Sequence, residues 1–194
     1  MDINEIKKTI LGKWQSISPK VRPSNQKNEN GSAKPFYLSR DFEYMAGDRF
    51  TLTIINYADP FGKIPLAKIA ITGHISWEGA HSIAEGAQKV NFTADEVYEV
   101  TPLIQGFADI LNQVANSGYD KWEIGKVQSI FGKTFLPFGL TERQYFKEYD
   151  LIYVFKNLLF WGVRNVDGGG FDSEENRPTN LQIPMIRLSN DSHS

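Results

Sequence analysis

The chain has 194 residues, 41 % hydrophobic and 23 % charged, with 21 basic against 23 acidic side chains and a formal net charge of -2. Such a balance excludes wholesale disorder, and the lack of any basic run argues against a nucleic-acid partner. With no cysteine, disulfide frameworks, iron–sulfur clusters, thiolate zinc sites and cysteine nucleophiles are excluded.

At the amino terminus, Asp2, Glu5, Lys7 and Lys8 stand where a signal peptide needs an apolar stretch, so a soluble, cytoplasmic protein is expected. Ile3, Ile6, Ile10 and Leu11 form one helical stripe behind Asp2 as N-cap, and Gly12 ends it. Trp14 to Ser18 reads as a short strand with Trp14 on its buried side. The polar stretch Ser24 to Lys34 holds nothing that packs and predicts a mobile loop, 24–34.

From Phe36 the period becomes two. Phe36, Leu38, Arg40, Phe42 and Tyr44 share one face, and Ala46-Gly47-Asp48 supplies a turn. Arg49 to Tyr57 is the next strand, with Phe50, Leu52 and Ile54 on one face. After the turn Asp59-Pro60-Phe61-Gly62, Ala67, Ile69, Ile71, Ile75 and Trp77 line one face of a further strand. Hairpin spacing of this kind predicts an antiparallel meander that curls. Gly79 to Gln88 is ambiguous, whereas Lys89–Phe92 and Val97–Val100 look extended. Pro102 at N1 opens a predicted helix over 102–117, with Leu103, Phe107, Ile110, Leu111 and Val114 at helical spacing and Gly118 as its stop. Lys121 to Ile130 has strand-like composition. Leu151–Lys156 and Leu158–Arg164 form a last hairpin turning near Asn157, and an irregular tail, 168–194, follows. The longest greasy segment, Leu151 to Val163, is interrupted by Lys156 and Asn157 and is too short for a membrane span. The expected fold is one mostly β domain over 1–194: an antiparallel barrel or strongly curved sheet with a short N-terminal helix and one longer helix.

Few residues point to chemistry. His74, Glu78, His81 and Glu85 would align on a helix, but the preceding alternation puts His74 on a strand, so no metal site is expected and no cofactor is implied. No nucleophile elbow is present, and Gly168-Gly169-Gly170 lacks the following helix of a phosphate loop. Arg40 is more informative, because it interrupts an apolar face. A guanidinium there needs either a structural acceptor or the polar end of a ligand. Arg164, near Trp161 and Gly162, is a second such cation, expected to stack on Trp14 and close the barrel end.

Leu11-Gly12-Lys13-Trp14 after a short helix resembles the Gly-x-Trp opening of lipocalins and other calycins, whose tryptophan plugs the barrel beneath an arginine. A longer match runs through Gly12-Lys13-Trp14, Val21-Arg22-Pro23, Phe36 to Tyr44, Arg49-Phe50, Tyr57-Ala58-Asp59-Pro60 and Arg177-Pro178-Thr179-Asn180-Leu181-Gln182. It resembles the repeated domain of the adenomatosis polyposis coli down-regulated family, membrane-anchored Wnt inhibitors in animals thought to hold an acyl chain in a β-barrel-like domain. The resemblance implies a calycin-like barrel with a lipid-sized cavity, and it makes Arg40 the counterpart of the family's second-strand arginine. The animal domains' cysteines, signal peptide, anchor and second copy have no counterpart in this sequence, so Wnt antagonism is not implied.

The expected function is therefore binding of a hydrophobic or amphipathic small molecule. Its body would lie among Trp14, Phe42, Phe50, Ile54 and Trp77, with Arg40 or Tyr44 orienting the polar end. One alternative is an isomerase or cyclase using Arg40 as electrophile and Tyr44, Tyr57 or His74 as proton carrier. Another is a protein-interaction module built on a filled barrel.

Overall fold

A computed structural model describes residues 2–27, 29–114, 118–138, 140, 145–164 and 170–188, with the backbone alone for 23–27 and 33. In chain order the elements are α1 (Ile3–Ile10), β1 (Gly12–Ser16), β2 (Lys20–Lys27), β3 (Ala33–Met45), β4 (Arg49–Tyr57), β5 (Pro65–Ala80), β6 (Gln88–Pro102), α2 (Gln105–Val114), β7 (Gln128–Ser129), β8 (Lys147–Phe155), β9 (Leu158–Trp161) and β10 (Met185–Arg187).

All strand pairs are antiparallel, and the sheet closes on itself. The order β1-β10-β9-β8-β6-β5-β4-β3 returns to β1 through the β1–β3 pairing, a ring of eight strands. Eight strands enclose an interior that side chains fill, or that holds one small ligand. Two long strands carry a second partner on one edge. Along β3, β1 lies opposite Asp41–Tyr44 and β2 lies opposite Pro35–Leu38, so the edge is interrupted at residues 17–19. There the Arg40 N–H donates to the Ser16 hydroxyl at 2.9 Å instead of to a backbone carbonyl. Along β6, β8 pairs with its first half and β7 with Glu99–Val100.

Local chemistry accounts for most elements. Asp2 caps α1 through the Asn4 and Glu5 amides, and Glu5 reaches back to the Asp2 N–H in a capping box. Ile6 and Ile10 are the buried stripe of that helix. Alternation places Phe42 and Tyr44, Phe50 and Leu52, and Ile69, Ile71 and Ile75 inside the ring. Ring centroids of Phe42, Phe50, Phe92 and Trp161 lie 4.1–5.7 Å apart where they pair, so this part of the interior is meshed. Tyr98, Trp122, Ile130, Phe135 and Leu140 are buried in the same continuous core.

Five expectations need correction. Pairing of Lys27 with Ala33 extends β2 and β3 into the stretch 24–34, because an edge strand needs only free backbone groups and not apolar side chains. Residue 28 lies outside the described residues. Pro102 ends β6, opposite Ala67, and α2 starts at Gln105; residues 115–117 are outside the described set. Of the proposed stripe, Leu111 is buried while Ile110 and Val114 are exposed. Lys121–Ile130 pairs only at Gln128–Ser129, the short length of β6 edge that β8 leaves free. The tail is not wholly irregular: Met185–Arg187 is the strand that joins β9 to β1 and closes the ring. Gly168, Gly169 and His193 lie outside the described residues.

Candidate ligand site

At the interruption between β1 and β2 the ring wall opens onto a small cavity of about 20 Å³. Ser16, Ser18, Lys20, Arg40 and Gln182 supply its polar side; Leu159, Trp161, Pro184 and Met185 supply its apolar side. Strand geometry puts Lys20 and Arg40 there, with Arg22 buried behind the lining. Lys20 and Arg22 alternate with exposed Val21, so both turn inward; Arg22 is 4 % exposed. Arg40 follows Leu38 and precedes Phe42 on the inner face of β3, directly across from Ile54 of β4.

The Gln182 side-chain oxygen accepts from Lys20 Nζ and, at 3.4 Å, from Arg40 Nη1. The Arg40 guanidinium also lies 5.4 Å from the Trp161 ring centroid. Among the described residues no carboxylate reaches Lys20, Arg22 or Arg40 within 4 Å; Arg164 alone has one, Glu148 at 3.8 Å. Among the described residues two buried donors, Arg22 Nη1 and Arg164 Nε, have no acceptor, and neither the buried Tyr44 hydroxyl nor the Trp161 indole N–H has a partner at hydrogen-bond geometry. Each such orphan costs about 1–3 kcal/mol.

Electrostatics follow from that crowding. Burial, then the charges of Arg22, Arg40 and Arg164, pull the Lys20 amine down to about 7. Burial likewise disfavours the charged forms of Arg22 and Arg40, although an arginine keeps its charge in practice. Across the interior, burial and the neighbouring Glu148 raise Asp150 to about 7, against the opposing bonds that its Oδ1 accepts from the Leu151 and Gly162 amides at 2.7 and 2.9 Å. Lys20, Arg22, Arg40 and Arg164 thus act on one another and on Glu148 and Asp150, and burial favours the protonated form of Asp150.

The tail segment that supplies Gln182 is pinned. Buried Arg177 donates to the carbonyls of Val90 (2.7 Å) and Asp150, to Asn91 Oδ1 at 2.8 Å, and to both oxygens of Glu174. Gly162 leaves room for Pro178: a Cβ there would stand 1.9 Å from the proline Cγ.

The expected ligand-binding residues divide. Phe42, Tyr44 and Phe50 are buried in the meshed interior, and Ile54 is half-buried beside Arg40. Trp14 is buried at the α1 end, its indole N–H donating to the Ile10 carbonyl at 2.6 Å. Trp77 lies near that end too, bonded to Asp48 at 2.9 Å with Lys7 over its ring. Of the seven, Arg40 alone lines the small cavity. Tyr44 lines a larger one, about 290 Å³, between α1 and the β3–β4 turn.

Arg164 does not close the barrel end. Arg187 stacks on Trp14 at 4.3 Å and donates to the Thr9 and Leu11 carbonyls at the end of α1, while Arg164 sits over Phe171. Two of the proposed proton carriers also lie apart from Arg40. Tyr57 shares the outer face of the sheet with Ser39, and His74 is outside against Asp95 at 3.0 Å. Sequence reading missed Lys20, Arg22 and Gln182 as a group; the available signal was Val21 flanked by two cations, an alternation of its own. No family model matches this chain, and the search of curated proteins found none similar to it.

Proposed function

We propose that the ring binds one small amphipathic acid, its carboxylate or phosphate among Lys20, Arg22, Arg40 and Arg164 and its apolar part against Leu159, Trp161 and Met185. The observation carrying this reading is that Lys20 and Arg40, with no carboxylate within 4 Å among the described residues, share the Gln182 carboxamide oxygen as acceptor. A ligand oxygen would replace that amide as a stronger, charged acceptor and would satisfy the free donors on Arg22 and Arg164. The cavity as it stands admits a water-sized group, so a longer ligand displaces Gln182 and the exposed Ile183 beside it. This reading keeps the calycin-like, acyl-binding character implied by the family resemblance and gives it a head-group preference.

Titration with octanoate and octyl phosphate, followed by tryptophan fluorescence and native mass spectrometry, tests it. A saturable one-to-one complex is expected, weakened at least tenfold by Arg40→Ala, about 1.4 kcal/mol. Flat titrations with both ligands defeat the reading. They would favour the protein-interaction alternative, to which the meshed aromatic interior lends support.

A further inference from the structure

Among the described residues three lysines are only about one-third exposed or less, and they differ in company. Lys7 is paired with Asp48 at 2.7 Å and Lys89 with Glu174 at 3.7 Å. Lys20 has no carboxylate within reach among the described residues; its amine donates to an uncharged amide oxygen that is shared with a guanidinium. An amine and a hydrogen-bond donor therefore converge on one carbonyl-type oxygen at the edge of a cavity. A ligand carbonyl whose oxygen took over the Arg40 bond would present its carbon to Lys20. We propose that Lys20 captures a short oxo acid as a reversible imine, with Arg40 on the carbonyl oxygen and Arg22 and Arg164 toward the acid group.

The inference rests on the anion-binding reading above and adds a bond to it. The Lys20 lone pair forms the C–N bond while the carbonyl π pair moves to oxygen, which takes a proton and becomes the carbinolamine hydroxyl. Loss of that hydroxyl with a second proton completes the imine. Both hydrogens of the neutral amine and the carbonyl oxygen leave as one water, and no oxidant or reductant enters. Hydrolysis reverses the sequence. The charges of Arg22, Arg40 and Arg164 disfavour a proton on the amine, with the charge of Asp150 opposing them. Together with burial they keep a large share of it unprotonated at neutral pH, the usual route to a nucleophilic lysine.

The test incubates the full chain with pyruvate and sodium cyanoborohydride, which reduces imines in place, and maps the adducts by peptide mass. One adduct, on Lys20, is expected at a rate at least tenfold above Lys7 and Lys89. The excess should be greatest near neutral pH and shrink toward about pH 10, where ordinary lysines also lose their protons. Octanoate should suppress it, acetone should give no such preference, and Lys20→Arg should abolish the adduct while still melting as a cooperatively folded protein. Even labelling of all lysines, with octanoate bound, overturns the imine and leaves the anion site standing. Absence of both the adduct and octanoate binding overturns the two together, and equal selectivity with acetone overturns the oxo-acid assignment.

Discussion

Lys20 and Asp150 titrate in opposite senses across the same pH. Lys20 sheds a positive charge and Asp150 gains a negative one, each near about 7, so the interior becomes less attractive to an anion as pH rises through neutrality. Octanoate affinity should therefore fall across that window, and Lys20→Met should flatten much of the slope. Stability has a distinct profile. Asp150 is raised from 3.8, so the folded state holds the extra proton and stability falls as pH rises from about 4 to about 7. Lys20 is lowered from 10.5, so the unfolded state holds the extra proton and stability rises from about 7 to about 10. Thermal melts should show a trough near neutral pH whose acid limb shrinks in Asp150→Asn and whose alkaline limb shrinks in Lys20→Met. A trough unchanged in both variants would contradict the assignment. Arg40 was legible as an anomaly because one polar residue stood among aromatics on a long alternating strand. Arg187 was not, since three residues of β10 are too few to show a period.

At the scale of elements, the long pairing of β5 with β6 depends on Gly73. Its register shifts between Thr72 and His74, and a Cβ at Gly73 would stand 1.8 Å from the Thr93 carbonyl oxygen, a backbone atom that cannot swing aside. Gly73→Ala should lower stability by about 1–3 kcal/mol or more, the usual range for forced overpacking. Gly106→Ala in α2, where nothing lies within 4 Å, should be neutral or stabilising by up to about 1 kcal/mol. Chemical denaturation of the pair checks both; equal effects would refute the steric argument. The strands β3 to β5 were readable because alternation, turn residues and length agreed. Pro102 misled because it is equally suited to the first turn of a helix and to a strand end whose N–H no neighbour needs. Between Lys121 and Ile130 the composition described side chains that bury, Trp122 and Ile130, but composition carries no information about which sheet edge is free.

Considered as a whole, the barrel is held shut from the outside by its last described segment. Arg177 ties that segment to β6 and β8 through backbone and Asn91 acceptors, and Arg187 ties it to α1. Arg177→Ala removes the donor from Asn91 Oδ1 and the Val90 and Asp150 carbonyls and should cost about 1–3 kcal/mol or more, the range for a buried acceptor left unsatisfied. It should also weaken octanoate binding, since Gln182 and the cavity wall lose their anchor. A variant that melts like the parent and binds like it would show that the anchor is dispensable. Eight-strand closure was not readable from local pattern, because the pairings that close it join residues from opposite ends of the chain, Trp14 with Arg187 among them.

That last pairing sets a schedule for biosynthesis. The Arg187–Thr9 contact bridges 178 positions, so a ribosome must release the chain through Arg187 before Trp14 finds its cover. Until then the nascent meander has two unsatisfied edges, from β1 and β9, and depends on chaperone shelter or on fast final docking to escape clumping.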